Sequence, residues 1–454
     1  MGITQSLAEI IVAGRFEDMP EPLVAAARQA ILDGIAVAIA GTTEDAVRIA
    51  AAHVKSQGGH PVATVWGFGF KTSPAAAAFV NGVATHVLDF EAMWTPPTHT
   101  TSPTLPVVFA IAEARQRGGR DIVTAFIKAA EVQGRLRLAS GQYAPEEITF
   151  HPPGVVGVIG AAVAAGDMLG FDVMHMRYAI GLAASRAGSI IGNVGSMTKS
   201  NHSGVAASQG LDAALLVERG FNANPDILEA PKGFVEAFFG PTFDYDALMA
   251  YGHPWRLIDP GLTLKMFPTQ FGTHWGINAA LDARRGIADP AQIRAVRVRM
   301  PVMSYIDRPA PRNGLEGKFS IQYAVSAALL DGAVSISTYT DARRFSADMQ
   351  DFLKKVTVEQ VAEIPKELEK MHIELEVELA NGEIVRTRCN GPKGLWGTTR
   401  ITHEEHLVKV RDCLATRFDR APAERCIAML EQIERLDAAQ VAELMALLAT
   451  PQKD

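Results

Sequence analysis

Five short segments concentrate the side chains that move protons or hold anions. The first, Leu88–Pro103, reads LDFEAMWTPPTHTTSP and sets Asp89, Trp94 and His99 around two prolines. In the second, FHPPGVVGVIGAA, His151 precedes a Pro-Pro-Gly entry into an apolar helix, whose first backbone N–H groups can bind a carboxylate. The third, SMTKSNHSGVAA, puts Lys199 and His202 at the mouth of a Gly/Ala-rich helix, where two cationic groups and a helix N-terminus favour an anion together. LKMFPTQFGTHWG supplies Lys265 and His274, and GKFSIQYAVS supplies Lys318 and Tyr323. Imidazole titrates near neutrality and suits proton transfer in either direction, while ammonium groups stabilise developing negative charge. The set points to acid–base chemistry on a small anionic substrate.

Each segment also has a plain structural reading. Asp89 can be an exposed loop acid, His151 can cap its own helix, and Tyr323 can fill a core with a satisfied hydroxyl. Yet a carboxylate just past a helix C-terminus opposes the helix dipole, so Asp89 requires a compensating donor or cation. Other matches carry less. SMTK fits S-x-x-K, but neither S-D-N nor K-T-G accompanies it. His403 and His406 in THEEH read as part of a helix start, with Thr402 and Glu405 as a capping box.

The chain contains no G-x-G-x-x-G, Walker A, H-E-x-x-H or EF-hand pattern, so the expected chemistry uses no cofactor and no metal. Cys389, Cys413 and Cys426 are too few and too dispersed for a disulfide framework. A net charge of −7 gives no general attraction to nucleic acid or anionic lipid. The N-terminus lacks a basic signal region, and nothing polybasic follows its MGITQS myristoylation-like pattern. The apolar run Gly154–Gly166 is short of the ~18 residues that span a bilayer. The expectation is a cytoplasmic protein with neither membrane nor nucleic-acid partners.

The elements that must position these side chains are mostly helices. Up to about Gly240, apolar positions recur at helical spacing: Pro20 and Pro22 open one helix, Ser73-Pro74 and Ser102-Pro103 open others, Asp121 is placed to cap another, and Ser203 or its neighbours start a fifth. After about residue 265, AQIRAVRVRMP alternates like a strand, and HIELEVELANGEIVRTRC reads as a hairpin with a type I′ turn at Asn381-Gly382. The fold class expected is mainly α with an α+β second domain: a helical domain from residues 1–264 and 396–454, and an α+β lid over 265–395.

The order HVLDF with HTTSP, FHPPGVVGVIGAA, TKSNHSGVAASQGLDAALLVERGF, KMFPTQFGTHW and GKFSIQYAVSAALLDG resembles the MmgE/PrpD family across nearly the whole chain. That family includes 2-methylcitrate dehydratase, cis-aconitate decarboxylase and iminodisuccinate epimerase. The resemblance implies a cofactor-independent lyase acting on a small di- or tricarboxylate, a homodimer, and a site completed by the smaller domain. Its alternatives are an epimerase or isomerase of a dicarboxylate, or a catalytically silent polycarboxylate-binding homologue. Asp89, His99, His151, Lys199, His274 and Tyr323 match the decarboxylase pattern as catalytic residues, with His99 as acid or base and Asp89 orienting it. Met93, Lys265, His202 and Lys318 are the expected substrate-binding residues. Where the decarboxylases read D-F-D-D-T-W, this chain has Asp89-Phe90-Glu91-Ala92-Met93-Trp94, so a threonine hydroxyl is replaced by a thioether.

Overall fold

A computed structural model describes residues 2–143, 148–396 and 398–451. The chain forms two compact units, one of Met1–Val87, Glu91–Thr263 and His403–Asp454, the other of Leu88–Phe90 and Leu264–Thr402.

The first unit is helical. Its amino-terminal part contains α1 (Ile3–Ala13), α2 (Glu21–Gly41), α3 (Asp45–Gln57), α4 (Pro74–Val87), α5 (Thr101–Arg115) and α6 (Gly119–Ala139). α7 (Pro152–Met168), α8 (Val173–Ala184), α9 (Thr198–Glu218), α10 (Phe234–Phe238) and α11 (Tyr245–Met249) follow. A short antiparallel pair, β1 (Ala63–Val65) and β2 (Phe70–Thr72), lies between α3 and α4.

α4, α7 and α9 pack together because their contact faces are nearly bare of side chains. A Cβ on Gly82 of α4 would sit 2.8 Å from the Cα of Gly204 in α9, and one on Gly204 would sit 2.5 Å from the Phe79 carbonyl oxygen. Both distances are shorter than any real contact, so the two backbones touch where only glycine fits. α9 begins at Thr198, five residues before the expected Ser203, which places Lys199 and His202 inside its first turns. α6 begins at Gly119 with Gly118 as its N-cap; Asp121 lies in the first turn instead of capping it. There its charge complements the helix dipole without accepting a cap hydrogen bond.

α2 is long and apolar enough to cross a membrane, with mean hydropathy 1.7, and most of that stretch is buried inside the unit. It packs against α4 and against α17 (His403–Leu414) from the carboxy-terminal segment, which continues through α18 (Arg420–Leu430) and α19 (Ala438–Leu448). Asp33 of α2 holds that segment, with its Oδ1 2.7 Å from Lys409 Nζ and 3.1 Å from His406 Nε2, all three side chains buried.

The second unit combines helices with a four-stranded sheet. α12 (His274–Arg285) precedes β3 (Ile293–Met300); α13 (Gly314–Gly317), α14 (Ile321–Asp331), α15 (Asp341–Arg344) and α16 (Ala347–Leu353) separate β3 from β4 (Val356–Gln360). β5 (Ile373–Leu379) and β6 (Ile384–Cys389) complete the order β4-β3-β5-β6, parallel between β3 and β4 and antiparallel elsewhere. Register pairs Val298 with Leu375 and Val377 with Val385. Ile373, Leu375, Val377 and Leu379 alternate into the core, where α12 covers β5 and β6. On the other face Glu374, Glu376 and Glu378 pair with arginines of β3 and β6, exposed contacts that add little stability.

The β5–β6 turn is not type I′. Gly382 alone has positive φ there, at 86°, while the Gly382 N–H donates to the Leu379 carbonyl and the Leu379 N–H to the Glu383 carbonyl. That is a three-residue loop with glycine in the left-handed position, which also explains why Asn381-Gly382 read as a hairpin signal.

Candidate active site

Four histidines of the helical unit meet around one point. His86 ends α4, His99 lies two residues before α5, His151 is the N-cap residue of α7, and His202 sits in the second turn of α9. The ring centroids of His86 lie 4.9 Å from His99 and 5.3 Å from His151, and His151 lies 5.3 Å from His202. All four side chains are buried. α4 and α9, which carry His86 and His202, cross at Gly82 and Gly204, and α7 with His151 at its start packs on α9, so three of the four rings are set by packed helices.

Glu91 anchors the cluster from the loop after α4. It is fully buried, with Oε1 2.5 Å from His86 Nδ1 and 3.7 Å from His99 Nδ1. Oε2 accepts from the Thr101 hydroxyl and, at 2.8 Å, from the Ser102 N–H at the start of α5. Burial pushes its carboxyl up from the ordinary glutamate range, and the charge on His99 with the two α5 donors only partly offsets that. Behind this group, the Ser102 hydroxyl donates to Ser203 Oγ at 3.1 Å, tying the starts of α5 and α9 together.

His151 and His202 face each other with their Nδ1 atoms 3.3 Å apart. Burial holds the His151 imidazole well below its usual range, and the nearby charges of His86, Lys199, His99 and His202 act in the same direction. Burial also lowers His202, with Lys199 adding to it. Both rings are therefore neutral at pH 7, and one N–H is shared between two nitrogens. A neutral imidazole pair under the field of an ammonium group favours an anion, because the ammonium charge attracts it and imidazole N–H groups can donate to it.

His99, His151, His202 and Lys199, singled out in the sequence, thus come together within the helical unit. Met93 belongs to the same loop: it is buried, and its backbone exchanges hydrogen bonds with Thr263, N–H to carbonyl at 3.0 and 2.7 Å. The other expected residues lie in the α+β unit. Asp89, with φ 52°, has the cation its position requires: Lys265 Nζ is 2.5 Å from Oδ1 and 3.0 Å from the Asp89 carbonyl oxygen. Lys318 is buried and its carbonyl accepts from the Thr269 hydroxyl at 2.6 Å and the Gln270 N–H at 3.0 Å. His274 packs against Phe267 and Phe271. The Tyr323 hydroxyl donates to the Thr338 carbonyl at 2.5 Å, and burial raises its pKa far above the ordinary phenol range.

His86 and Glu91 were not singled out in the sequence. The signal lay in their spacing: His86 closes a helix, where a cationic ring complements the dipole, and a carboxylate follows five residues later in a proline-stiffened loop. Among the described residues, His86, Glu91 and His99 are also the group whose ligand-type atoms converge, within 4.8 Å of one another. Two ligands of one tetrahedral zinc ion stand roughly 3.3 Å apart. His86 Nδ1 and Glu91 Oε1 stand 2.5 Å apart, a hydrogen-bond distance.

Fold and site together define a mainly α-helical protein with a smaller α+β unit and a buried cluster of histidines. Residues 5–246 match the MmgE/PrpD N-terminal domain and residues 267–435 the MmgE/PrpD C-terminal domain, and the chain belongs to that family. It is 31% identical to the cis-aconitate decarboxylase of Mus musculus over 451 residues, covering 97% of this chain and 92% of the relative. With the cis-aconitate decarboxylase of Homo sapiens it shares 31% identity over 99% of this chain and 95% of the relative. A mitochondrial 2-methylcitrate dehydratase of Yarrowia lipolytica is 26% identical over 61% of this chain and 56% of its own length. The protein is an enzyme of the lyase type.

Proposed function

We propose that the protein cleaves a small di- or tricarboxylate without a cofactor, with decarboxylation of cis-aconitate or a close analogue as the leading reaction. The observation that carries this reading is the neutral His151–His202 pair beside Lys199, in a chain similar over nearly its full length to cis-aconitate decarboxylases. Loss of carbon dioxide from an unsaturated tricarboxylate leaves the electron pair of the broken C–C bond delocalised across the double bond. That pair reaches the carbon next to a second carboxylate as an enediolate. Lys199 and His151 are assigned to the carboxylate oxygens, where a fixed cation and directed donors in a dry site stabilise the charge far better than water does. His99 then delivers a proton to the carbon, and a proton from solvent restores it.

Dehydration of a 2-methylcitrate-like substrate would use the same groups in the other direction, with His99 removing a proton next to a carboxylate. Met93 favours keeping this second reading, since a thioether stands where the decarboxylases carry a hydroxyl and a substrate hydroxyl or carboxylate loses that donor. Incubation with cis-aconitate, 2-methylcitrate and an epimerisable dicarboxylate, followed by proton NMR, separates the outcomes. Carbon dioxide release with a new terminal methylene signal supports decarboxylation. Turnover of none of the three, with thermal stabilisation by a tricarboxylate, would replace the proposal with a binding function.

A further inference from the structure

We infer that Glu91 and His86 act as a positioning pair that fixes the tautomer of His99, leaving its Nε2 as the nitrogen that exchanges the proton with substrate. This rests on the proposed role of His99 as acid or base. The argument starts from what surrounds His99 Nδ1. It faces two oxygens, the Ala92 carbonyl at 3.3 Å and Glu91 Oε1 at 3.7 Å. Both are acceptors, so Nδ1 must carry a hydrogen, and in the neutral ring Nε2 then carries the lone pair.

Glu91 would not stay aimed at His99 unaided, because a buried carboxylate needs several donors. His86 Nδ1, the Thr101 hydroxyl and the Ser102 N–H supply three, two of them on Oε2 and one on Oε1. The donor on Oε1 comes from the last turn of α4, so the helix that sets the position of His86 also sets the direction of Glu91. For protonation of a carbanion, Nε2 first takes a proton from solvent; that N–H bond then breaks as the C–H bond forms, and the ring returns to the neutral form still protonated on Nδ1. When Nε2 takes a proton, the positive charge that forms on the ring meets the Glu91 carboxylate. Glu91 touches neither substrate nor reacting atom; it acts through His99.

The experiment uses full-length protein labelled with ¹⁵N in histidine, with the His99 signals assigned by their loss in His99→Gln. In the wild type, His99 is expected to show a protonated Nδ1 and a bare Nε2. Glu91→Gln should mix the two tautomers and lower kcat roughly 10- to 100-fold with KM within about twofold. His86→Phe should behave similarly, while His86→Asn, which keeps an N–H donor where Nδ1 stood, should recover most of the loss. A neutral wild-type His99 protonated on Nε2 and bare on Nδ1 overturns the inference, as does a folded Glu91→Gln with unchanged tautomer and turnover. If Glu91→Gln does not fold, the wild-type tautomer and the two His86 variants decide. The NMR readout needs no substrate, so failure of all three candidate substrates would sink the proposed function while the tautomer still tests this assignment.

Discussion

The Nδ1 atoms of His151 and His202 stand 3.3 Å apart, one ring presented from the N-terminus of α7 and the other from the second turn of α9. Two imidazolium ions cannot share that geometry, so the pair sets a limit on acid tolerance. The folded-state pKa of each ring is below the unfolded value near 6.5. Above that value neither state binds the proton and the pair has no effect; below it the unfolded chain takes up protons that the native state refuses, and stability falls. Melting temperature should therefore decline between pH 7 and 5.5, before ordinary carboxylates titrate. His151→Asn should flatten that slope, which thermal melts across the pH series would show.

Lys199 acts on the same two rings through its charge. Lys199→Met should raise the pKa of both His151 and His202, read by NMR titration, because a repulsive cation is removed. It should also lower turnover roughly 100-fold, as should His99→Gln, with melting close to wild type for the lysine variant. Full activity in either variant would contradict the roles given to them.

Asp33 ties the two ends of the chain into one helical unit. Burial opposes its ionisation, but Lys409 and His406 outweigh that and hold its pKa below the ordinary value. Asp33→Ala removes the buried carboxylate that Lys409 and His406 share and should cost about 3–5 kcal/mol, measured by denaturant titration. The Asp33 contribution to stability is present above the ordinary carboxylate pKa and is lost as pH falls through the lowered one.

Lys265 performs the same service for Asp89 in the α+β unit. Lys265→Met should destabilise by about 3–5 kcal/mol, because the buried carboxylate loses its cation. Adding Asp89→Asn should recover part of that loss, and additivity of the two changes in a double-mutant cycle would count against the pair.

Gly204→Ala should lower stability by about 1–3 kcal/mol, since the added methyl meets the Phe79 carbonyl at 2.5 Å and one helix must move. Chemical denaturation would measure the cost.

The helical class was legible because proline, serine and glycine punctuate the apolar periodicity of the first 240 residues, and β3, β5 and β6 were legible because their residues alternate. β4, VTVEQ, was not: five residues directly after a short helix give too little alternation to separate from a loop. Helix starts were less exact, since Thr198 is no better a start signal than Ser203 until packing against α4 extends the helix. At the site, His99, His151, Lys199 and His202 announced themselves as ionisable groups near helix ends. His86 was hidden inside an alanine-rich helix, and Glu91 looked like one of many loop acids. Their importance depends on which atoms face each other, a relation carried by tertiary contact and not by spacing.

The Gly82–Gly204 crossing has a practical consequence for anyone hoping to retarget this enzyme. His86 lies one turn beyond Gly82, and His202 lies two residues before Gly204, so the gap between those rings is set where main chain meets main chain. No rotamer change can widen such a gap by small steps. Libraries that randomise α4 or α9 around the crossing should mostly yield broken proteins.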